Sequence, residues 1–328
     1  MSRPITHTHG GPDAAGVPRW DFSTNSNACG PCPMAQAAVQ AADATRYPDP
    51  AYTDLRAALA HFHGVAAERI VLGTGSSELI TRLTAWVARD GGTRVWMPQE
   101  AYGDYAHAAT QWRLVRVASP HAADLAWCCA PSSPRGIAKL TPWDALCQAR
   151  VLALDRAYDP LRLSGSSLPP AMCDQTWQLW SPNKALGLTG IRGAYAIAPP
   201  KATAAAAELT AMAASWPLGA HAVALLLAWT RSDTQDWLQS SRAQLRVWKA
   251  EQIASLQSLG WTCQASDTPY FCARPPHPLD GDALRRQGVK LRPTDNMGLP
   301  GHWRLSVQPP AAQAALCQAL NHALIACP

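Results

Sequence analysis

The residue in this sequence best suited to chemistry is a lysine, Lys184, in the run from Trp180 to Arg192. Ser181 precedes it by three residues and Arg192 follows it by eight, in otherwise small and apolar surroundings. A lysine amine is mostly protonated near neutral pH, so enzymes that use one to form a Schiff base bury it or place it beside another positive charge. Ser181 and Arg192 would then hold an anion such as phosphate, through one hydroxyl hydrogen bond and a guanidinium fork. The alternative interpretation is a solvent-facing lysine with an unrelated arginine.

Two stretches upstream of the lysine could supply further parts of a site. Residues 151–154 form an apolar run of strand length that is followed by Asp155 and, three residues later, Tyr158. Groups just past the carboxyl ends of parallel strands line the ligand crevice, so both side chains are expected to face a ligand. Residues 70–80 are typical of a short strand, a glycine and serine turn, and a helix start, whose free N–H groups suit phosphate. The turn matches neither the Rossmann fingerprint nor the P-loop.

The elements that must position these residues alternate along the chain. Apolar periodicity predicts helices at 51–63, 79–88, 101–111 and 143–149, and strands at 94–97, 114–117, 125–129, 151–154, 178–180 and 193–197. This alternation predicts an α/β fold whose mostly parallel sheet is covered by helices on both faces. Farther on, the pattern predicts helices at 202–214, from 220 through 256, from 281 and at 311–325, with short strands at 261–264, 270–273, 289–292 and 303–307.

The domain limits follow from the same patterns. We expect a loop-rich N-terminal arm over 1–40 that is part of the small domain, a large domain over 41–216, and a smaller α+β domain over 217–328. A length of 328 residues suits about two domains.

Composition narrows the class of protein. The net charge is +5 and the basic residues are scattered, so we expect no nucleic-acid partner. No apolar stretch approaches the roughly 18 residues of a membrane span and the N-terminus lacks a signal core, which predicts a cytoplasmic protein without membrane contact. The ten cysteines are then expected to be thiols. Cys29 and Cys32 have zinc-like spacing, but no second Cys/His pair stands at a suitable distance, so no metal site is predicted.

The order of phosphate turn, carboxylate, phenol and lysine with its arginine resembles one family. Ser181-x-x-Lys184 with Arg192, and Asp155-x-x-Tyr158 some thirty residues earlier, are similar to fold-type I pyridoxal-phosphate (PLP) enzymes of aminotransferase class I/II. The resemblance covers nearly the whole chain, in the branch shared by histidinol-phosphate aminotransferases and threonine-phosphate decarboxylases.

The resemblance implies a role for each matching residue. Lys184 would carry the cofactor as a Schiff base, and Asp155 would pair with the protonated ring nitrogen, keeping the ring an electron sink. Tyr158 would contact the ring 3-oxygen and Tyr102 would stack on the ring. The cofactor phosphate would be held by Ser181, Arg192 and the backbone of Gly75, Ser76 and Ser77.

Other matches concern the partner subunit, the substrate and one departure. Tyr47 matches a tyrosine that reaches the cofactor phosphate of the partner subunit, which implies a homodimer with a shared site. Arg304 matches the substrate-carboxylate arginine and Arg292 the substrate-phosphate arginine. The segments around His9 and Asn27 are similar to the opening of threonine-phosphate decarboxylases, with a substrate role expected for both residues. Where the family carries an asparagine on the ring 3-oxygen, this chain has the shorter donor Ser133, so a water or Tyr158 alone would complete that contact.

Three functions remain open from the sequence. The first is decarboxylation of L-threonine O-3-phosphate to aminopropanol phosphate in cobalamin biosynthesis, suggested by the N-terminal arm. The second is a histidinol-phosphate or related aminotransferase, because both reactions can use every residue named above. The third is a non-catalytic homologue, suggested by Ser133. A small phosphorylated amino acid is the expected substrate class.

Overall fold

The computed structural model describes residues 9–138 and 142–325, so the first eight residues of the predicted arm lie outside the described part. The strands, numbered in chain order, are β1 (Trp20–Asp21), β2 (Ile70–Gly73), β3 (Arg94–Trp96), β4 (Val115–Arg116), β5 (Leu125–Cys129), β6 (Val151–Asp155), β7 (Trp177–Trp180), β8 (Ala194–Ile197), β9 (Thr262–Cys263), β10 (Tyr270–Arg274), β11 (Val289–Lys290), β12 (Arg292–Pro293) and β13 (Trp303–Ser306). The helices are α1 (Pro33–Gln40), α2 (Thr53–His63), α3 (Ser76–Arg89), α4 (Gly103–Gln111), α5 (Trp143–Leu146), α6 (Pro170–Cys173), α7 (Thr203–Ala211), α8 (Ala220–Trp229), α9 (Ser232–Ser258), α10 (Gly281–Arg286) and α11 (Pro310–Ile325).

A central sheet organises the fold. Within the described residues it has seven strands in the order β2-β8-β7-β6-β5-β3-β4. Strands β3 to β7 run parallel to one another, whereas β8 is antiparallel to both β2 and β7. The predicted mostly parallel α/β sheet is therefore confirmed.

Both faces of this sheet are buried, as its strand composition requires. Successive side chains of a strand point to opposite faces. Along β6, Val151 and Ala153 pack in a core with residues of α3, α4 and α7, while Leu152 and Leu154 pack in a separate core with Leu146 of α5. A strand covered on both faces reads as a continuous apolar run, which is why the sequence located β5 and β6 so well.

A smaller antiparallel sheet, in the order β12-β13-β10-β9, follows the long helix α9. The sequence predicted one strand over 289–292, and this was wrong. Lys290, in β11, pairs in parallel with Asp21 of β1, whereas Arg292, in β12, pairs with Arg304 of β13. The N-terminal arm is thus hydrogen-bonded to the segment that carries Arg292, while the domain limits at 40 and 216 stay predictions.

Two helices differ from the sequence-based expectation. Helix α1 lies inside the segment predicted to be loop, where Pro33 occupies a first-turn position that suits proline and alanines follow. The helical region predicted from 220 through 256 is broken, because α8 ends at Trp229 and α9 begins at Ser232. Arg231 precedes α9 with extended backbone and pairs with Asp233 in its first turn, a favourable site for an acidic residue. Among the described residues, no helix has the length and apolar character needed to cross a membrane.

Candidate active site

One cavity of about 240 Å³ lies where the carboxyl ends of β6 and β7 meet the start of α3, the N-terminal arm and β13. It brings together most of the residues that the sequence singled out. Those that line it are His9, Ser76, Ser77, Tyr102, Ser133, Asp155, Tyr158, Ser181, Lys184, Arg192 and Arg304. The placement follows from the fold, because the ends of parallel strands gather side chains from distant parts of the chain at one edge.

The start of α3 and Arg192 form an anion-accepting end of the cavity. The guanidinium of Arg192 lies so close to Gly75 that a Cβ there would stand 2.1 Å from Nη2, so a larger residue would displace the guanidinium. Ser76 follows as the first residue of the helix, and its Oγ is buried without a hydrogen-bond partner in the described structure. The first N–H groups of a helix lack intrahelical partners and favour negative charge. A phosphate group would satisfy all three features.

Asp155 ends β6 and is only 4 % exposed. Its carboxylate accepts hydrogen bonds from the Tyr105 hydroxyl at 2.8 Å and from the Ala157 N–H at 2.9 Å. Burial raises the pKa of Asp155, against the opposing effects of these hydrogen bonds and of the positive charge on Lys184. A protonated ring nitrogen beside the carboxylate would restore its preference for the ionised form.

Tyr105 is a site residue that sequence reasoning missed. It is fully buried, and its ring stacks on Trp127 with centroids 4.8 Å apart and planes 6° apart. Tyr105 also meets Tyr102 edge-on at 5.8 Å, and the Tyr102 hydroxyl lies 3.3 Å from Ser77 Oγ. The only signal in the sequence was spacing, since residues three apart share one side of a helix start.

Lys184 sits on a tightly held loop after β7. Its Nζ lies 5.6 Å from the centroid of the Tyr158 ring. The Ser181 hydroxyl donates to Asn183 Oδ1 at 2.9 Å, and the Asn183 amide donates to the carbonyls of Thr189 and Ile191 at 3.3 Å each. Asn183, which the sequence argument did not single out, therefore fixes the loop that carries the lysine.

The structure changes the role expected for Asn27. This residue does not line the cavity. Its backbone N–H donates to the Lys184 carbonyl at 2.9 Å and its side-chain amide donates to the Ala185 carbonyl at 3.0 Å. The substrate-binding assignment was wrong, because the side chain is committed to holding the lysine loop. Asn25, two residues earlier, does line the cavity and donates to the Tyr158 hydroxyl at 3.3 Å.

Arg304 lines the opposite end of the cavity, and the buried Arg292 is paired with it on the neighbouring strand. Arg304, 6 % exposed, donates from Nη1 to Ser133 Oγ at 3.2 Å and from Nη2 to the Ser23 carbonyl at 3.4 Å, while its Nε lacks a partner. Arg292 faces it across the β12–β13 pair, donates to Asn296 Oδ1 at 3.4 Å and leaves Nη1 unpaired. Within 9–138 and 142–325, neither guanidinium has a carboxylate partner, which suits anion recognition.

Arg292 and Tyr47 do not line the cavity. Burial, followed by the charge of Arg304, lowers the pKa of Arg292 to about 10. Tyr47 is 78 % exposed and stacks on Trp216 with ring centroids 4.4 Å apart. An exposed aromatic pair outside its own cavity is compatible with the role at a partner subunit's site that the sequence predicted for Tyr47.

Comparison with known proteins decides the family. The model of the family "Aminotransferase class I and II" matches residues 20–320. This chain belongs to that family. Histidinol-phosphate aminotransferase of Symbiobacterium thermophilum is 28 % identical over 335 residues, which cover 92 % of this chain and 90 % of the relative.

Solved structures share the fold of this aminotransferase-family chain. Histidinol-phosphate aminotransferase from Sinorhizobium meliloti, in complex with pyridoxal-5'-phosphate, has a TM-score of 0.74 and 20 % identity, and the match covers 92 % of this chain and 89 % of the other. L-threonine-O-3-phosphate decarboxylase from Porphyromonas gingivalis has a TM-score of 0.73 and 20 % identity, and the match covers 93 % of this chain and 99 % of the other. The sequence-based recognition of a fold-type I PLP enzyme is thereby confirmed.

The cofactor of this enzyme is pyridoxal 5'-phosphate, and the cavity fits it. The phosphate-accepting end at Ser76 and Arg192, the buried carboxylate of Asp155 and the amine of Lys184 all face one cavity. The unpaired Ser76 Oγ is a buried polar atom that the cofactor phosphate would satisfy.

Proposed function

We propose that this enzyme decarboxylates L-threonine O-3-phosphate to (R)-1-amino-2-propanol O-2-phosphate, a step of cobalamin biosynthesis. The observation that carries the proposal is the facing pair of buried arginines, which suits a small substrate with a carboxylate at Arg304 and a phosphate at Arg292. The cavity of about 240 Å³ must hold cofactor and substrate together, and ligand sites usually run from roughly 300 Å³ upward. A compact substrate is therefore favoured.

The chain's own groups divide the work as follows. Pyridoxal phosphate, when bound, supplies an aromatic ring that withdraws electrons from the α-carbon of the substrate. Asp155 would hold a proton on the ring nitrogen, and Tyr158 would contact the ring oxygen. Arg304 grips the carboxylate and thereby orients the bond that breaks as CO₂ leaves. With the cofactor bound, Lys184 would return a proton to the α-carbon of the substrate.

The second candidate is a histidinol-phosphate aminotransferase, favoured by the name of the relative from Symbiobacterium thermophilum. In that reaction Lys184 removes a proton from the α-carbon instead. The same residues serve both reactions, so the orientation imposed by Arg304 decides between loss of CO₂ and loss of a proton. Ser133, which motivated the non-catalytic hypothesis, is buried, lines the cavity and accepts a hydrogen bond from Arg304.

One experiment separates the two reactions. Purified enzyme loaded with pyridoxal phosphate is incubated with L-threonine O-3-phosphate, and CO₂ and aminopropanol phosphate are measured. We expect both products in equal amounts without any amino-group acceptor. Histidinol phosphate with 2-oxoglutarate serves as the parallel reaction. If only this second mixture reacts, and it yields glutamate, the decarboxylase proposal fails and the aminotransferase takes its place.

We also propose that the enzyme acts as a homodimer in which Tyr47 reaches the cofactor phosphate of the partner subunit. The proposal rests on the exposure of Tyr47 outside its own cavity and on its fixed position against Trp216. Mixing two impaired variants at a limiting cofactor concentration tests it, because Tyr47→Ala and Lys184→Ala subunits would form some dimers with one intact site. No recovery of activity on mixing and subunit exchange would argue against a shared site.

A further inference from the structure

The N-terminal arm is fastened to α10 and β11 through one aspartate, Asp13. Asp13 receives two hydrogen bonds from Arg285, at 3.0 and 3.1 Å, and an ion pair from Lys290 Nζ at 2.8 Å. The same two cations also donate to arm carbonyls, Arg285 to Gly16 at 2.8 Å and Lys290 to Gly11. We call Asp13, Arg285 and Lys290 the arm clasp.

The clasp is more than a loose surface pair. The side chains of Arg285 and Lys290 are only 17 % and 15 % exposed, and that of Asp13 is 34 % exposed. Arg285 belongs to α10 and Lys290 to β11, so two elements converge on one carboxylate. The two cations hold the pKa of Asp13 well below its usual range, so the clasp stays charged throughout the pH range of an assay.

The residues next to the clasp form part of the cavity wall. His9 and Gly10 line the cavity, and the Gly11 N–H donates to Ser23 Oγ at 2.8 Å. A Cβ on Gly10 would stand 2.2 Å from the Ser23 carbonyl oxygen, so the arm and the Ser23 backbone are in close contact. That same carbonyl accepts a hydrogen bond from Arg304. A continuous series of contacts therefore connects Asp13 to Arg304, the arginine expected to bind the substrate carboxylate.

We propose that Asp13 is a positioning residue for substrate binding. The arm clasp holds His9 and Gly10 at the cavity wall and keeps the Ser23 carbonyl within hydrogen-bonding distance of Arg304. The orientation of the Arg304 guanidinium is therefore fixed before the substrate binds. Cofactor binding does not depend on it, because the clasp contacts neither Lys184 nor the start of α3. The inference rests on the proposed function only for the identity of the substrate.

The test compares Asp13→Asn with a control, Asp233→Asn. The control removes a more exposed aspartate–arginine pair at the start of α9, outside the cavity lining. Asp13→Asn should raise KM for L-threonine O-3-phosphate by roughly three- to tenfold, because preformed binding geometry is lost. We expect kcat to change less than about twofold and the absorbance of bound cofactor to stay the same. Asp13→Glu should recover part of the loss, whereas the control should match the wild type.

Hydrogen exchange separates positioning from a merely structural role. The amides of residues 9–19 should exchange faster in Asp13→Asn, and in parallel with the rise in KM. Faster amide exchange with an unchanged KM would overturn the proposal. Unchanged amide exchange of residues 9–19 would also overturn it. If the wild type turns over only histidinol phosphate, the proposed function fails, and the same comparison is made with KM for that substrate. Salt offers a second readout, since raising ionic strength to about 0.5 M should raise KM in the wild type more than in Asp13→Asn.

Discussion

Replacing Arg304 by glutamine tests the assignment of the carboxylate site most directly. A substrate carboxylate facing this guanidinium would gain a fork of two charge-assisted hydrogen bonds, each worth about 1.5–3 kcal/mol. The loss should be near the lower limit, about 3 kcal/mol in all, because the Ser133 and Ser23 oxygens already occupy two of the guanidinium donors. That corresponds to a decrease in kcat/KM of roughly 150-fold.

The folded state should tolerate this change. In the free enzyme Arg304 is a buried cation with two neutral acceptors and no carboxylate partner in the described residues. Removing such a charge relieves desolvation, so the melting temperature of the glutamine variant should not fall. Arg304→Lys keeps the charge but loses the fork, and its kcat/KM should lie between those of the wild type and Arg304→Gln.

The assay measures initial rates with L-threonine O-3-phosphate and, separately, the affinity for 1-amino-2-propanol O-2-phosphate, which lacks the carboxylate. Affinity is read from the absorbance change of the bound cofactor. The glutamine variant should lose rate with the first compound and keep affinity for the second. The reasoning is refuted if the rate falls less than tenfold, or if both compounds are affected equally.

Three further predictions concern the cofactor. Lys184→Ala should abolish attachment of the cofactor that borohydride can fix, and should lower the rate by on the order of 10³-fold, measured by mass and CO₂ release. Burial raises the pKa of Asp155, so ionisation of this group destabilises the folded cofactor-free enzyme as pH rises above the unfolded value of roughly 3.9. The melting temperature of cofactor-free Asp155→Asn should therefore be higher than that of the wild type at pH 7, and the two should be equal near pH 3.5. A lower melting temperature of the variant at pH 7 would contradict this. Tyr47→Ala should weaken cofactor affinity about tenfold without lowering the melting temperature, and unchanged affinity would count against the shared site.

The sequence could predict the positions of residues whose surroundings are local in the chain. Lys184 with Ser181 lies in one short loop, and Asp155 directly follows an apolar strand, so spacing and the rule for strand ends were sufficient. The central sheet was predictable for the same reason, because its buried strands are unbroken apolar runs.

Residues whose roles depend on distant partners were not predictable. Tyr105 reaches Asp155 across fifty positions, and Asn27 reaches the lysine loop across more than 150. No periodicity records such contacts, so Tyr105 was missed and Asn27 was assigned to the substrate. The strand predicted over 289–292 failed similarly, since Lys290 and Arg292 pair with different strands that only the folded chain brings near.

The rung on which Arg292 opposes Arg304 has a consequence for selectivity. Directly opposed residues of an antiparallel pair have Cα atoms roughly 4.5–5.5 Å apart, and like charges in that relation repel. A ligand with one negative group would neutralise the charge of one guanidinium and leave the charge of the other uncompensated. A ligand with two negative groups at the correct distance would neutralise both charges and remove the repulsion between the paired strands β12 and β13. If the proposed function holds, the strand pair would therefore favour ligands whose two negative groups are separated by the distance between the two guanidinium groups.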